Sequence, residues 1–297
     1  MRLIRRLILV LVAVVVVVGI GVAVYLLKPV NGPSRNLTLT ADARHGAYVL
    51  ILGGCVACHT DTKANRPTLA GGEGLKTPFG TFYPPNITPD PTYGIGKWTL
   101  AEFSNALSNG KGPNGHLYPV FPYTSYTTMT DQDVVDLFAA LKAVPPVAQP
   151  SKPHEVSFPF NIRLANLAWQ NLFFTPHRFA MDPSRSALWN RGAYLASGPG
   201  HCVECHSPRN AFGAIDYSQA FSGAPKGSVG GRAPSLKADD LKQFYAESDL
   251  EDTLKTGVAS TGDDLGGEMA EVVKDSTSRW TDDDRHAVSA YLLGMDK

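Results

Sequence analysis

The pentapeptide Cys-x-x-Cys-His occurs twice, as Cys55-Val56-Ala57-Cys58-His59 and as Cys202-Val203-Glu204-Cys205-His206, and the two copies consume every cysteine of the chain. No other feature restricts the fold as much. Two thiols about one helical turn apart can add to the two vinyl groups of one haem, and the adjacent His then offers an imidazole nitrogen to the iron. A structural zinc site wants its second cysteine pair about 15–20 residues after the first, whereas Cys202 comes far later. A thioredoxin-like redox pair calls for a preceding strand and gives no reason for the following His. The motifs therefore predict two covalently bound haem c groups, held by Cys55, Cys58, Cys202 and Cys205, with His59 and His206 as iron ligands.

Each motif sits in a longer repeat. Gly46-Ala47-Tyr48-Val49 precedes the first and Gly192-Ala193-Tyr194-Leu195 the second. Each copy closes with a helix start signal, Thr130-Asp131-Gln132-Asp133 before Val134, Leu137, Phe138 and Leu141, and Thr281-Asp282-Asp283-Asp284 before Val288, Tyr291 and Leu292. The apolar positions recur at helical spacing, so both closing segments are amphipathic helices with one buried face. Shorter helical candidates, 99–107 and 248–256, lie within Gly/Pro-rich loops. Strand-like alternation is nearly absent. The expected fold is all-α, with one tandem domain over 41–144 and another over 187–297. Pro145, Pro146, Pro150, Pro153 and Pro159 make the start of the intervening stretch, 145–186, a linker. Its segment 161–174 is aromatic-rich and partly amphipathic, which suits either docking on a partner or membrane interface, or plain interdomain packing.

The N-terminus reads as a separate object. Arg2, Arg5 and Arg6 precede an apolar run over 7–27, which as a helix is about 31 Å long and matches the hydrocarbon thickness of a bilayer. In lipid only a helix satisfies its own backbone, so the β-prone valines are overruled. A cleaved signal peptide is the alternative; the run exceeds the usual apolar length, and no small-x-small site precedes Lys28-Pro29. The reading is a retained single-pass anchor (1–28) in the inner membrane, followed by a tether (29–40), with the arginines cytoplasmic and the rest in the periplasm. The 297 residues carry no net charge. Beyond the extreme N-terminus no Lys/Arg stripe is present to neutralise phosphates, so nucleic acid is excluded as a partner.

The duplicated pattern resembles the dihaem class I cytochromes c, and in particular the membrane-anchored cytochrome c subunits of periplasmic alcohol, sugar and sugar-acid dehydrogenases. The local matches are the Gly-Ala-Tyr segments, Pro85-Asn86-Ile87-Thr88-Pro89, Gly94-Ile95-Gly96-Lys97-Trp98 and Leu117-Tyr118-Pro119-Val120-Phe121-Pro122-Tyr123. The resemblance implies a conduit that takes electrons from a periplasmic dehydrogenase and passes them towards a respiratory electron acceptor. It also implies a distal ligand for the second haem, Met269, in the Gly-flanked segment just before the cap Thr281. At the first haem the chain departs from such relatives, which often carry Tyr-Pro-Ala-Met-Pro-Tyr where this chain has Phe121. A phenyl ring cannot bind iron. The nearest donors are Met129 and His116. Met129 is preferred because a thioether suits a high-potential haem, against the reading that it staples the following helix.

Other residues read as structural. His45, His154, His177, His201 and His286 are surface or loop histidines, with His201 close enough to its motif to bond near a propionate. Trp98 and Trp280 are core residues, and Arg209 either pairs with a propionate or is solvated. The missing methionine at position 121 supports a competing reading, a haem enzyme of peroxidase-like or sulfur-compound-oxidising type; a haem sensor lacks any output domain. Residues 239–284 hold fourteen Asp/Glu against four Lys/Arg, predicting an acidic face that meets a basic partner.

Overall fold

The computed structural model describes residues 2–225 and 232–296. It is helix-rich. The apolar N-terminal run forms one helix, α1 (Arg2–Leu26), with no buried residue and with the length and composition to cross a membrane. The first half of the remainder holds α2 (Ala43–Leu52), α3 (Cys55–His59), α4 (Leu100–Asn109), α5 (Tyr123–Tyr126) and α6 (Asp131–Ala143). After α7 (Arg163–Phe173) come α8 (Ala187–Ser197), α9 (Cys202–Cys205), α10 (Ala238–Leu241), α11 (Glu247–Thr256), α12 (Gly267–Asp275) and α13 (Asp282–Leu292).

The helix starts are local chemistry. Thr130 and Thr281 accept hydrogen bonds from the backbone N–H of Asp133 and Asp284 at 3.0 and 3.2 Å, and Thr99 with Glu102 forms a full capping box on α4. What the repeat adds is a crossing. α2 packs across α6, and α8 packs across α13. A Cβ on Gly46 would lie 1.8 Å from the carbonyl oxygen of Asp136, and one on Gly192 2.0 Å from that of Ala287. Any side chain there would force the helices apart, which is why both copies carry glycine. Around these crossings lie two apolar clusters, one including Val49, Phe103, Leu107, Met129, Val134 and Leu137, the other Leu195, Leu250, Leu254, Trp280, Val288 and Leu292.

The tyrosines of the Gly-Ala-Tyr segments do not stay in their own copy. Tyr48 donates to Asp284 Oδ2 at 2.7 Å and accepts the N–H of Thr281 at 3.0 Å. Reciprocally, the Tyr194 hydroxyl meets the Asp133 carboxylate and accepts the N–H of Thr130 at 3.2 Å. Each tyrosine thus binds the first turn of the other copy's closing helix, and the two halves are joined by a near-symmetric exchange. Arg191 adds a 2.7 Å ion pair to Asp284. Burial pushes the Asp284 carboxyl up, but the bonds from Arg191 and Tyr48 outweigh it and hold the group below its usual range.

Three expectations change. Among the described residues there are five short strands, β1 (Leu75–Thr77), β2 (Gly80–Phe82), β3 (Lys111–Gly112), β4 (Gly115–His116) and β5 (Glu155–Val156), in an antiparallel sheet ordered β1-β2-β5 and a β3-β4 hairpin. At two or three residues each, they are too short to leave an alternating pattern in the sequence. β5 lies in the proline-rich linker and returns to β2, so that stretch is partly pinned to the first half. The tether is also held. Arg35 donates to the carbonyls of Met129 and Thr127 at 2.7 and 2.8 Å and pairs with Asp131 at 3.2 Å.

Candidate functional site

α3 and α9 are single turns, so each presents its two cysteines one turn apart on one side. Both turns start from a left-handed residue, Gly54 at φ 59° and His201 at φ 41°. His201 tolerates this conformation while its Nδ1 bonds the Pro199 carbonyl at 2.8 Å. Its ring lies edge-on to Tyr126 at 5.5 Å, and the Tyr126 hydroxyl donates to Gly53 at 2.8 Å. The entry to the second motif is thus packed against the entry to the first.

The motif histidines share a device. His59 Nδ1 lies 2.7 Å from the Pro85 carbonyl and His206 Nδ1 2.8 Å from the Pro234 carbonyl. A carbonyl only accepts, so Nδ1 carries the proton in both rings and the Nε2 lone pair is left for a metal. Burial lowers both pKa values, against the opposing effect of those bonds, and keeps the imidazoles neutral. Burial also pushes the Cys55 and Cys202 thiols up to about 12 and Cys58 up to about 11, the last with help from Cys205, Glu268 and Glu271. Cys58 is exposed, but it opens onto a cavity wall, and the protein around that wall sets its proton affinity.

That cavity, about 3090 Å³, is continuous and reaches both motifs. Cys55, Cys58, His59, Cys202, Cys205 and His206 all line it, as do Met129 and Met269. His116 does not line it; its Nδ1 is bonded to Gln170 Oε1 at 2.7 Å. Met129 is only 2 % exposed and sits in the first apolar cluster beside Leu107 and Val134. Met269 is half-buried against the second cluster. It stands on α12 and not in a loop, because the chain becomes helical directly after Gly266. Phe121 packs edge-on against Tyr126 at 5.5 Å.

The residues read as structural do pack. Trp280 is buried, and Trp98 lies against the first cluster. His45 pairs with Asp136 at 2.8 Å, His286 with Glu251 at 2.8 Å, and His154 accepts the Tyr83 N–H at 3.1 Å. His177 bonds the Thr175 carbonyl at 3.0 Å. Arg209 pairs with Glu204 at 2.6 Å. The sequence did not mark out Glu204, the variable residue inside the second motif. It is buried, bonded to the Thr124 hydroxyl and to Ser125 at 2.9 Å, and so ties α9 to α5 of the other half.

Two thiol pairs on single helical turns, each followed by a neutral imidazole with a free Nε2 and all lining one cavity, are the donor set of a c-type cytochrome. No family model matches the chain. It is 40 % identical over 274 residues to the "Diheme cytochrome c-type" protein of Cereibacter sphaeroides, covering 91 % of each chain. It is 41 % identical over 267 residues to the cytochrome c subunit of the alcohol dehydrogenase (quinone) of Gluconacetobacter polyoxogenes, covering 86 % of this chain and 56 % of the relative. With the fructose dehydrogenase cytochrome subunit of Gluconobacter japonicus it shares 37 % identity over 257 residues, 84 % of this chain and 52 % of the relative. The chain belongs to the dihaem c-type cytochromes. It spans little more than half the length of these two dehydrogenase subunits.

Proposed function

We propose that this cytochrome takes electrons from a periplasmic dehydrogenase and passes them towards a respiratory acceptor, through two haems in tandem class I cytochrome c domains spanning 41–144 and 187–297. The observation that carries the reading is the one cavity that both Cys-x-x-Cys-His motifs share, at the junction where Tyr126, Gly53 and His201 meet. Haem bound there supplies one-electron redox chemistry. The chain attaches it through Cys55 and Cys58, and through Cys202 and Cys205, and offers Nε2 of His59 and His206. The Pro85 and Pro234 carbonyls orient those imidazoles and raise their basicity.

Met269 is assigned as the distal ligand at the second site and Met129 at the first. For Met129 the support is its place on the cavity wall, its burial and the anchoring of its carbonyl by the Arg35 guanidinium. His116, held by Gln170 outside the cavity lining, is set aside. Residues 1–28 are assigned as an inner-membrane anchor that leaves the cytochrome in the periplasm.

The test has two parts. The purified protein should retain two haems per chain through acid–acetone extraction, read by mass. A dehydrogenase should copurify from detergent-solubilised membranes, and its substrate should reduce both haems. One haem per chain, or haems that the copurified enzyme's substrate leaves oxidised, would refute the proposal.

A further inference from the structure

The single turn α5 has all four of its residues buried, and it touches both attachment turns at once. On one side the Tyr126 hydroxyl donates to the Gly53 carbonyl at 2.8 Å, two residues before Cys55. A Cβ on Gly53 would lie 3.3 Å from Cys55 Sγ and 3.7 Å from that hydroxyl. On the other side the Tyr126 ring stands edge-on, at 5.5 Å, to His201, the residue from which α9 starts. Ser125 Oγ donates to Glu204 Oε1 at 2.9 Å, beside a second bond from Thr124 Oγ1.

The polar fastening belongs to one motif only. Glu204 occupies the second variable position of its motif, where the first copy has Ala57 and so no polar side chain. Its buried carboxylate spans the two halves: Oε1 accepts from Thr124 and Ser125 of the first, while Oε2 pairs with Arg209 of the second at 2.6 Å. Arg209 also donates to the Glu204 main-chain carbonyl at 2.7 Å and to the Gly213 carbonyl at 2.8 Å, which fixes the guanidinium and through it the carboxylate. An ion pair taken out of water is weak evidence of stability, because desolvation offsets much of its attraction. What a fully bonded buried charge supplies is one geometry, since any slip between the halves would leave a carboxylate without its donors.

From this we infer that α5 is a common spacer for the two haem sites, and that Glu204 is the positioning residue that locks the second attachment turn onto it. The inference rests on reading α3 and α9 as haem-attachment turns. Thioether bonds tie each haem to its own turn, so the relation of α3 to α9 sets that of the two haems. The edge-on rings of Tyr126 and His201 hold a distance but tolerate rotation about it, whereas the hydrogen bonds to Glu204 are directional and remove that freedom. Glu204 acts through α9 and needs no contact with iron. A fixed relation exposes each haem to the same field from the other in every molecule, so the charge on one iron shifts the potential of its neighbour by a constant amount.

The test uses the full-length holoprotein and circular dichroism in the Soret band, where two haems held close at one angle couple and give a split signal. The wild-type protein, with two haems per chain by mass, is expected to show that split. Glu204→Ala should reduce its amplitude severalfold while leaving the haem count and absorption bands as they are. Glu204→Gln, whose side-chain oxygen can still accept from Thr124 and Ser125, should retain most of it. A Thr124→Val, Ser125→Ala variant should reproduce the loss from the other side of the contact with the second motif untouched, and it decides alone if Glu204→Ala fails to incorporate haem. A split undiminished in these variants, or missing from a wild-type protein with two haems, would overturn the spacer while leaving the dihaem reading in place. One haem per chain in the wild type would overturn the dihaem reading and the spacer with it.

Discussion

Two methionines face the cavity, but their surroundings differ in a way that makes their roles separable. Met129 is locked at its backbone by Arg35 and buried among aliphatic side chains, whereas Met269 rides on a half-exposed helix. If each sulfur occupies a distal position, the reduced wild-type protein should bind carbon monoxide slowly or not at all. Met269→Ala should open one site per chain and Met129→Ala the other, each lowering the potential of its own haem, because a thioether ligand both blocks the site and favours ferrous iron. His116→Ala should change neither. Rapid binding at one haem of the unmutated protein would remove Met129 from the iron and leave it a packing residue. The proximal half of this chemistry was legible in the sequence, since Cys-x-x-Cys-His fixes thiols and imidazole by covalent spacing alone. The carbonyls that orient the imidazoles were not. They lie 26 and 28 residues downstream, and a backbone acceptor leaves no residue-type signature.

Helices were legible where a side chain caps them and illegible where their partner lies elsewhere in the chain. The Thr130 and Thr281 caps stand as read, but nothing local in Gly-Ala-Tyr announces that Tyr48 binds the start of α13 and Tyr194 the start of α6. The amphipathicity of α7 was visible too, yet periodicity cannot say which face is inside, and here the inside face is mixed, with Asn166 and Gln170 on either side of Leu167. The Tyr exchange makes a stability prediction. Tyr48→Phe removes a donor to Asp284 and an acceptor from Thr281, and should cost about 1–3 kcal/mol in denaturant unfolding of the holoprotein, with Tyr194→Phe similar and the haem bands unchanged. Because Asp284 is held below its ordinary pKa, its contribution is present above the unfolded value of about 3.9 and fades as pH falls through the lower folded value. The penalty of Tyr48→Phe should therefore shrink in strong acid. A penalty below about 0.5 kcal/mol at neutral pH would show that the exchange does not hold the halves together.

At the scale of the molecule, the charge that sums to zero is unevenly placed. Of the acidic residues in 239–284, Asp284 is buried in the Tyr48–Arg191 network and does not belong to the surface, but Asp239, Asp252, Asp263, Asp264, Glu268 and Glu271 are exposed. Glu268 and Glu271 stand close enough to Cys58 to raise its pKa, so the negative field borders the cavity where the first motif opens outward. A redox partner docking there needs a basic face, and its encounter is steered by long-range attraction that salt screens over about 10 Å at 0.1 M. The second-order rate of electron transfer with such a partner, measured by stopped flow, should fall roughly tenfold or more between low and high ionic strength. Glu268→Gln with Glu271→Gln should flatten that slope without altering either haem spectrum, whereas Asp263→Asn, farther along the same acidic stretch, should have the smaller effect if docking centres on the cavity edge. A rate indifferent to salt would mean that the acidic surface is only solvated, and that the partner reaches the haems by another face.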